Sequence, residues 1–322
     1  MRLIRVCAAA LAAALVPLPA LAGFPERPLT IIVPAGAGGG GDTTMRFLAR
    51  ELEAVLKQPI TIVNQGQGGG VVGLTSLKNA KPDGYTVGLL FPYAGYKASG
   101  AADFTLADFT PIANFNGDSS ALLVGQNSPF KDLKTALDAI KADPAAYKVH
   151  CSGGCGSVWD IPVAGMMLDY GIDVGKVNWI PGQGAANGLT ELAAGGVDFQ
   201  TASLPEAAAL TGAGRVRALG VLSPEPVAGF ESVPTTKQAI GVAIDGGTWR
   251  ALGGPAKMSP EAARVWEAAM KQAVESAAFR EAMAKAKFGV KWLDTAEVTA
   301  LMKKHEADTD RVMKALGRAG SN

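Results

Sequence analysis

Two glycine-rich stretches hold most of what could be chemistry in this chain of 322 residues. The first runs Gly36-Ala37-Gly38-Gly39-Gly40-Gly41-Asp42-Thr43, between an apolar run and a helical pattern. The second, Ser152-Gly153-Gly154-Cys155-Gly156-Ser157, stands in the same position later in the chain. Bare backbone at a helix start offers free N–H groups and the positive end of the helix dipole, about half a charge, to an anion. One or two glycines would suffice for a tight turn, and each costs backbone entropy on folding. Four in a row, Gly38 to Gly41, instead point to a ligand lying against the main chain.

Gly36-x-Gly38-x-x-Gly41 fits the spacing of a dinucleotide loop, which needs an acidic residue about 20 positions on to hold the ribose. The second strand ends in Val63-Asn64-Gln65 instead. A Walker-type phosphate loop needs a lysine after the glycines, and none follows. With no Lys or Arg in either loop, the pattern suits a carboxylate held reversibly. Backbone N–H groups and the hydroxyls of Thr43, Ser152 and Ser157 would hold it. Helix capping is the competing role for Asp42 and Thr43.

Cys151 precedes the second loop and Cys155 lies within it. Three readings stay open: a disulfide, favoured in an oxidising compartment, two free thiols, or a metal site recruiting His150. The metal site lacks the second ligand pair that zinc usually requires, and neither metal nor cofactor is expected. A free Cys155 at a helix start would be acidified, which makes an exported enzyme the alternative function. His150 is a poor base for Cys151, because adjacent strand residues face opposite ways. The other histidine, His305, falls within Lys303-Lys304-His305-Glu306 and reads as part of a solvated helix face. Trp249 reads as core packing or as a cleft wall.

The loops need strands before them and helices after them. Leu29 to Val33 is a short β-type run. Met45, Leu48, Leu52, Val55 and Leu56 give a helical period over Thr43 to Lys57. Strands at Ile60 to Val63 and Tyr85 to Phe91 bracket a helix over Val72 to Ala80, with Pro82-Asp83-Gly84 a turn. Later strands are expected at Ala121 to Val124, Lys148 to Cys151, Val177 to Ile180, Val197 to Ala202 and Val216 to Leu222. Helices are expected over Asp132 to Asp143, up to Tyr170, over Ala185 to Ala194 and over Pro205 to Gly212. A proline-rich passage from Ser223 to Gly241 reads as a return linker, and Ser259 to Gly317 as mainly helical. This alternation predicts an α/β fold of two domains, each a mostly parallel sheet flanked by helices. Domain 1 would take residues 23–124 plus 246–322 and domain 2 residues 125–245. A ligand would bind between them, at the carboxyl ends of the strands.

Arg2 and Arg5, the apolar stretch Val6 to Val16 and Ala20-Leu21-Ala22 form a secretory signal, residues 1–22, with cleavage expected after Ala22. Its removal turns a formal charge of +1 into about −1. That balance argues against a nucleic-acid partner, which calls for a basic stripe.

The stretch from Pro28 to Val87 resembles the opening of the tripartite tricarboxylate transporter substrate-binding proteins, the TctC-like or Bug receptors. The pieces that carry the likeness come in order. They are a proline-ended strand, a glycine run closed by Asp42, the Gln58-Pro59-Ile60 strand start, a second glycine cluster and Pro82-Asp83-Gly84-Tyr85-Thr86. "IPGQGAANGLTELAAGGVDFQTASLPEA" and "GRVRALGVLSPEPVAGFESVPTTKQAIG" are similar to later family segments.

The resemblance implies a periplasmic, monomeric two-domain receptor that closes on a small organic acid, a carboxylate. It implies delivery to a permease of one large and one small integral-membrane subunit; a membrane sensor is the other partner considered. Carried over here, the acid would lie between Gly38 to Thr43 and Ser152 to Ser157. Phe91, Pro92, Pro181, Gly184, Ala185, Ala202 and Ser203 would line the rest. The chain departs from the family pattern at Ala35, Gly41, Trp159-Asp160, Gly182 and the Cys151/Cys155 pair.

Overall fold

The structure, a computed structural model, describes residues 23–318 apart from 99, 153, 154, 157, 183 and 184. The expected signal segment 1–22 and the site residues Gly153, Gly154, Ser157 and Gly184 therefore lie outside the described residues.

The apolar run Leu29–Val33 (β1) is buried on both faces, as befits a central strand. Helix α1 (Gly40–Leu56) buries Met45, Leu48 and Leu52 at helical spacing and ends on Lys57 in the left-handed conformation. It starts three residues before the hydrophobic period does, because its first turn is made by glycines. Strands β2 (Ile60–Asn64) and β3 (Thr86–Leu90) run parallel to β1 on either side, with α2 (Val71–Lys78) between them in sequence. A short α3 (Gly95–Ala98) precedes the 17-residue strand β4 (Phe109–Gly125).

The second half repeats the plan. After α4 (Leu133–Ala142) come β5 (Lys148–Cys151), α5 (Asp160–Asp169), β6 (Asn178–Pro181), α6 (Ala185–Ala194), β7 (Phe199–Ser203), α7 (Leu204–Gly212) and β8 (Val216–Val221). The proline-rich passage contains α8 (Thr236–Ile240), and the chain returns through β9 (Gly247–Pro255). Helices α9 (Pro260–Glu275), α10 (Ala277–Lys285) and α11 (Thr295–Ala315) complete it.

Strand order in the first half is β2-β1-β3-β9-β4, and in the second β6-β5-β7-β4-β8. Both orders read second, first, third, crossing strand, fourth. In each half four strands run one way and one crossing strand runs against them: β9 in the first half, the end of β4 in the second. The first sheet is packed by α1, α9 and α10 on one face and by α2 and α11 on the other. The second carries α4 and α5 on one face and α6 and α7 on the other.

Strand β4 is longer than the run 121–124 that its apolar residues mark. Its first part interleaves Asn114 and Asn116 with apolar residues and shifts register against β9 twice. Those asparagines are buried, and their amide groups find acceptors far along the chain: Asn114 Nδ2 donates to the Lys291 carbonyl (2.7 Å) and Asn116 Nδ2 to the Gly289 carbonyl (2.6 Å).

The halves are joined where β4 passes from one sheet to the other at Ser119–Ser120, and again at Gly246–Gly247. There the Ser120 amide donates to the Gly246 carbonyl (2.8 Å). A third link is α11. Its start packs Val298 and Met302 in the cluster of Trp249, and its end packs Val312 and Met313 on Ile161 and Ala164 of α5. Among the described residues no helix is long and apolar enough to cross a membrane.

Candidate functional site

Strands β1, β2 and β3 end at one edge of the first sheet, and β5, β6 and β7 end at one edge of the second. The loops that follow them meet. Gly95 of α3 lies so close to Gly156 that a Cβ added at Gly95 would collide with the Gly156 carbonyl. The two halves touch there through backbone alone.

The first loop is braced by Asp42. Its buried carboxylate accepts from the Gly38 amide (2.7 Å), from Asn64 Nδ2 (2.9 Å) and from Arg46 Nε (3.0 Å). Burial pushes the Asp42 carboxyl up, but the hydrogen bonds from Arg46, Gly38 and Asn64 more than offset this and hold it below the usual carboxylate range. The helix N-cap is Gly39, with no side-chain cap. Because Asp42 uses the Gly38 N–H, and Gly39 N–H reaches the Gly36 carbonyl (3.3 Å), the donors left for a ligand are first-turn amides of α1, from Gly40 to Asp42. Thr43 makes the first helical bond, to the Gly39 carbonyl (2.8 Å), and its hydroxyl leans back to the Gly38 carbonyl (3.5 Å). The second glycine cluster buttresses this loop: a Cβ on Gly66 would stand 2.7 Å from the backbone of Ala35 and Gly36.

The second loop is braced twice. Cys151 and Cys155 form a disulfide, so neither sulfur is a free thiol and the nucleophile role considered for Cys155 is corrected. Asp160, in the first turn of α5, accepts from the Ser152 amide (2.9 Å) and from the Thr201 hydroxyl. From outside, Arg318 donates to the Cys155 carbonyl (3.0 Å). The Ser152 hydroxyl points inward, to the Thr201 carbonyl and Gln200 (2.8 Å), rather than toward a ligand. His150 is buried between Gly182 and Gly188, where any Cβ would strike its ring. This accounts for glycine at 182: an aromatic there has no room.

The expected lining residues separate into two groups. Gly38, Gly39, Gly40, Gly41, Thr43, Phe91, Gly156 and Pro181 keep solvent contact at the loop edge. Asp42, Pro92, Ser152, Cys155, Ala185, Ala202 and Ser203 are buried and hold the loops from behind. Ala202 is fully buried in the core beside Ala121 and Leu204, which corrects its placement on a cleft wall. Ser203 caps α7 in a reciprocal box with Glu206. The surface recesses beside Trp292 are lined by α9, α10 and neighbouring residues and by none of these loops.

A family model described as the tripartite tricarboxylate transporter family receptor, TctC, matches residues 44–318. The chain belongs to the TctC receptor family. A UPF0065 protein of Bordetella pertussis is 30% identical over 262 residues, with 80% of each chain covered. The crystal structure of a TctC solute binding protein from Polaromonas, without ligand, superposes with a TM-score of 0.76 at 32% identity, covering 90% of this chain and 99% of that one. MatC from Rhodopseudomonas palustris, with bound malate, shares the fold at a TM-score of 0.75 and 24% identity, over 90% and 100% of the chains.

Sequence reasoning about this TctC receptor missed its charged interior. Arg250 on β9 is buried; its Nη1 donates to Asp118 (2.7 Å) and to Asn116, and its guanidinium lies over the Phe288 ring (5.6 Å). Its Nη2 stands 3.0 Å from where a Cβ on Gly40 would be, at the start of α1. An arginine inside an otherwise apolar strand was the available signal. His305 also needs correction. It does not sit on a solvated face but is half-buried, edge-on to Trp249 with ring centroids 6.1 Å apart, and burial pushes its pKa down to about 4. Trp249 itself is core, among Tyr93, Val298 and Met302.

Proposed function

We propose that this protein is a periplasmic solute receptor that captures a small carboxylate between its two halves and delivers it to a membrane permease of one large and one small subunit. The observation that carries this reading is the meeting of two glycine loops, each before a helix, at one edge, with the first-turn amides of α1 left as donors. Malate in MatC is a carboxylate in the same fold and supports it. The halves act as domains, residues 23–124 with 246–322 and residues 125–245. The working form is a monomer, exported and cleaved after Ala22.

Thermal unfolding of the mature chain against a panel of mono- and dicarboxylates tests the reading. A ligand at 100 times its dissociation constant should stabilise the protein by about 2.7 kcal/mol. No shift with any acid would overturn it. Co-purification of the loaded receptor with permease subunits expressed beside it tests the delivery step.

A further inference from the structure

The cleft edge holds two charged side chains that a backbone grip does not require. Arg250 is one. A guanidinium at the start of a helix is a like-charge placement, because the dipole's positive end already lies there. Asp118 pairs with the guanidinium at 2.7 Å and holds it there. The Asp118 and Asn116 hydrogen bonds use Nη1, and Nη2 lies beside Gly40, the first residue of α1.

Glu206 is the other, and its sign is opposite. It sits in the first turn of α7, directly after β7, at the ligand edge of the second sheet. Its Oε2 accepts from the Ser203 amide (3.2 Å) and hydroxyl (2.9 Å); Oε1 has no partner among the described residues. The Glu206 side chain is exposed to solvent, and desolvation by neighbouring protein raises its carboxyl above the usual range. Strand pairing sets its place: Ser203 lies opposite Ser120, two residues from Asp118 on β4. Arg250, held by Asp118, and Glu206, at the start of α7, thus flank the point where β4 passes from one sheet to the other.

We infer that Arg250 and Glu206 set the receptor's specificity: Arg250 and the first turn of α1 take the ligand's carboxylate, while Glu206 takes a hydrogen-bond donor, ammonium or hydroxyl, elsewhere on the same molecule. The ligand class is then a donor-bearing monocarboxylate, and a plain dicarboxylate is disfavoured because its second charge meets Glu206. This rests on the carboxylate-receptor reading above.

Calorimetric titration of the mature chain with matched sets of three to six carbons tests it: an amino monocarboxylate, a hydroxy monocarboxylate and the unsubstituted dicarboxylate of each length. The wild type should bind a donor-bearing acid at least tenfold more tightly than its matched dicarboxylate, and the amino and hydroxy arms identify the donor. Glu206→Gln, which keeps the helix cap, should lose that preference. Glu206→Lys should bind the dicarboxylate at least tenfold better than the wild type does, a gain that misfolding cannot produce. Arg250→Gln should weaken every acid at least tenfold. If the wild type favours dicarboxylates, or if neither Glu206 variant changes the ratio, the pair is overturned while the receptor reading stands. If no acid binds, both fall.

Discussion

The two glycine loops occupy equivalent places in equivalent sheets, and both are tied back by an aspartate in the first turn of the following helix. Asp42 holds the Gly38 amide and Asp160 holds the Ser152 amide. Beyond that they differ. The first loop relies on a charged network with Arg46 and Asn64 and on Gly66 and Gly70 packed behind it. The second adds a covalent bridge from Cys151 to Cys155 and an arginine, Arg318, reaching in from beyond α11. One geometrical need, a strand-to-helix turn with its amides presented outward, is met by polar bonding in one half and partly by sulfur chemistry in the other.

The comparison breaks most sharply at Asp42. Asp42→Ala leaves the Gly38 amide, Asn64 and Arg46 without their shared acceptor, and should cost about 3 kcal/mol by urea unfolding. An unchanged midpoint would show that the first loop is not held this way. Because the Asp42 carboxyl is held low in the folded state, its contribution is complete above the unfolded value of about 3.9 and is lost as pH falls through the lower folded value. The disulfide has no such dependence on pH.

Reducing the second loop's disulfide should cost less. The bridge closes a short ring, with a sequence separation of 4. Chain entropy for a ring of that size gives about 2 kcal/mol. Reduced and oxidised protein compared in one unfolding experiment decide this, and Asp42→Ala should add to reduction rather than replace it, since the two act on different halves.

The contact between the loops can be tested by size alone. Gly95→Ala puts a methyl group into the Gly156 carbonyl and should lower ligand affinity about tenfold, or about 1.4 kcal/mol, with little change in unfolding. Equal affinity would mean that the halves need not meet there.

The smallest effect concerns neither loop but the helix that links the halves. Burial depresses His305 to about 4 against an ordinary value of 6.5, so the neutral form is the one that folds. Its favourable contribution is therefore present above pH 6.5 and fades as pH drops toward 4. With partial solvent screening taken into account, the loss between pH 7 and 5 should be about 1 kcal/mol. His305→Gln should flatten that slope.

Much of the fold was legible because apolar periodicity is local. β1, α1 and α6 are marked by their own residues. The first part of β4 was not, since Asn114 and Asn116 interrupt the pattern and find their partners at Lys291 and Gly289. β9 was hidden by glycines at 247, 253 and 254, which carry no side chain to show a period. The glycine loops are legible from composition, whereas the charged side chains beside them are not. Gly40, Asp118, Glu206 and Arg250 come from four distant segments, and only the pairing of β4 with β7 and β9 brings those segments to one place. The burial of His305 is legible in the sequence: Val298, Met302, His305, Thr309 and Val312 fall on one face of a helix, although lysines adjoin that stripe.

If both loops grip one ligand, both must respond to the same binding event. Backbone amide shifts of the ¹⁵N-labelled mature chain, followed during titration with a carboxylate that stabilises it, address this directly. The Gly40, Gly41 and Asp42 amides of the first loop and the Gly156 amide of the second should move together along one saturation curve. Shifts confined to one half, or two curves with separate midpoints, would contradict it.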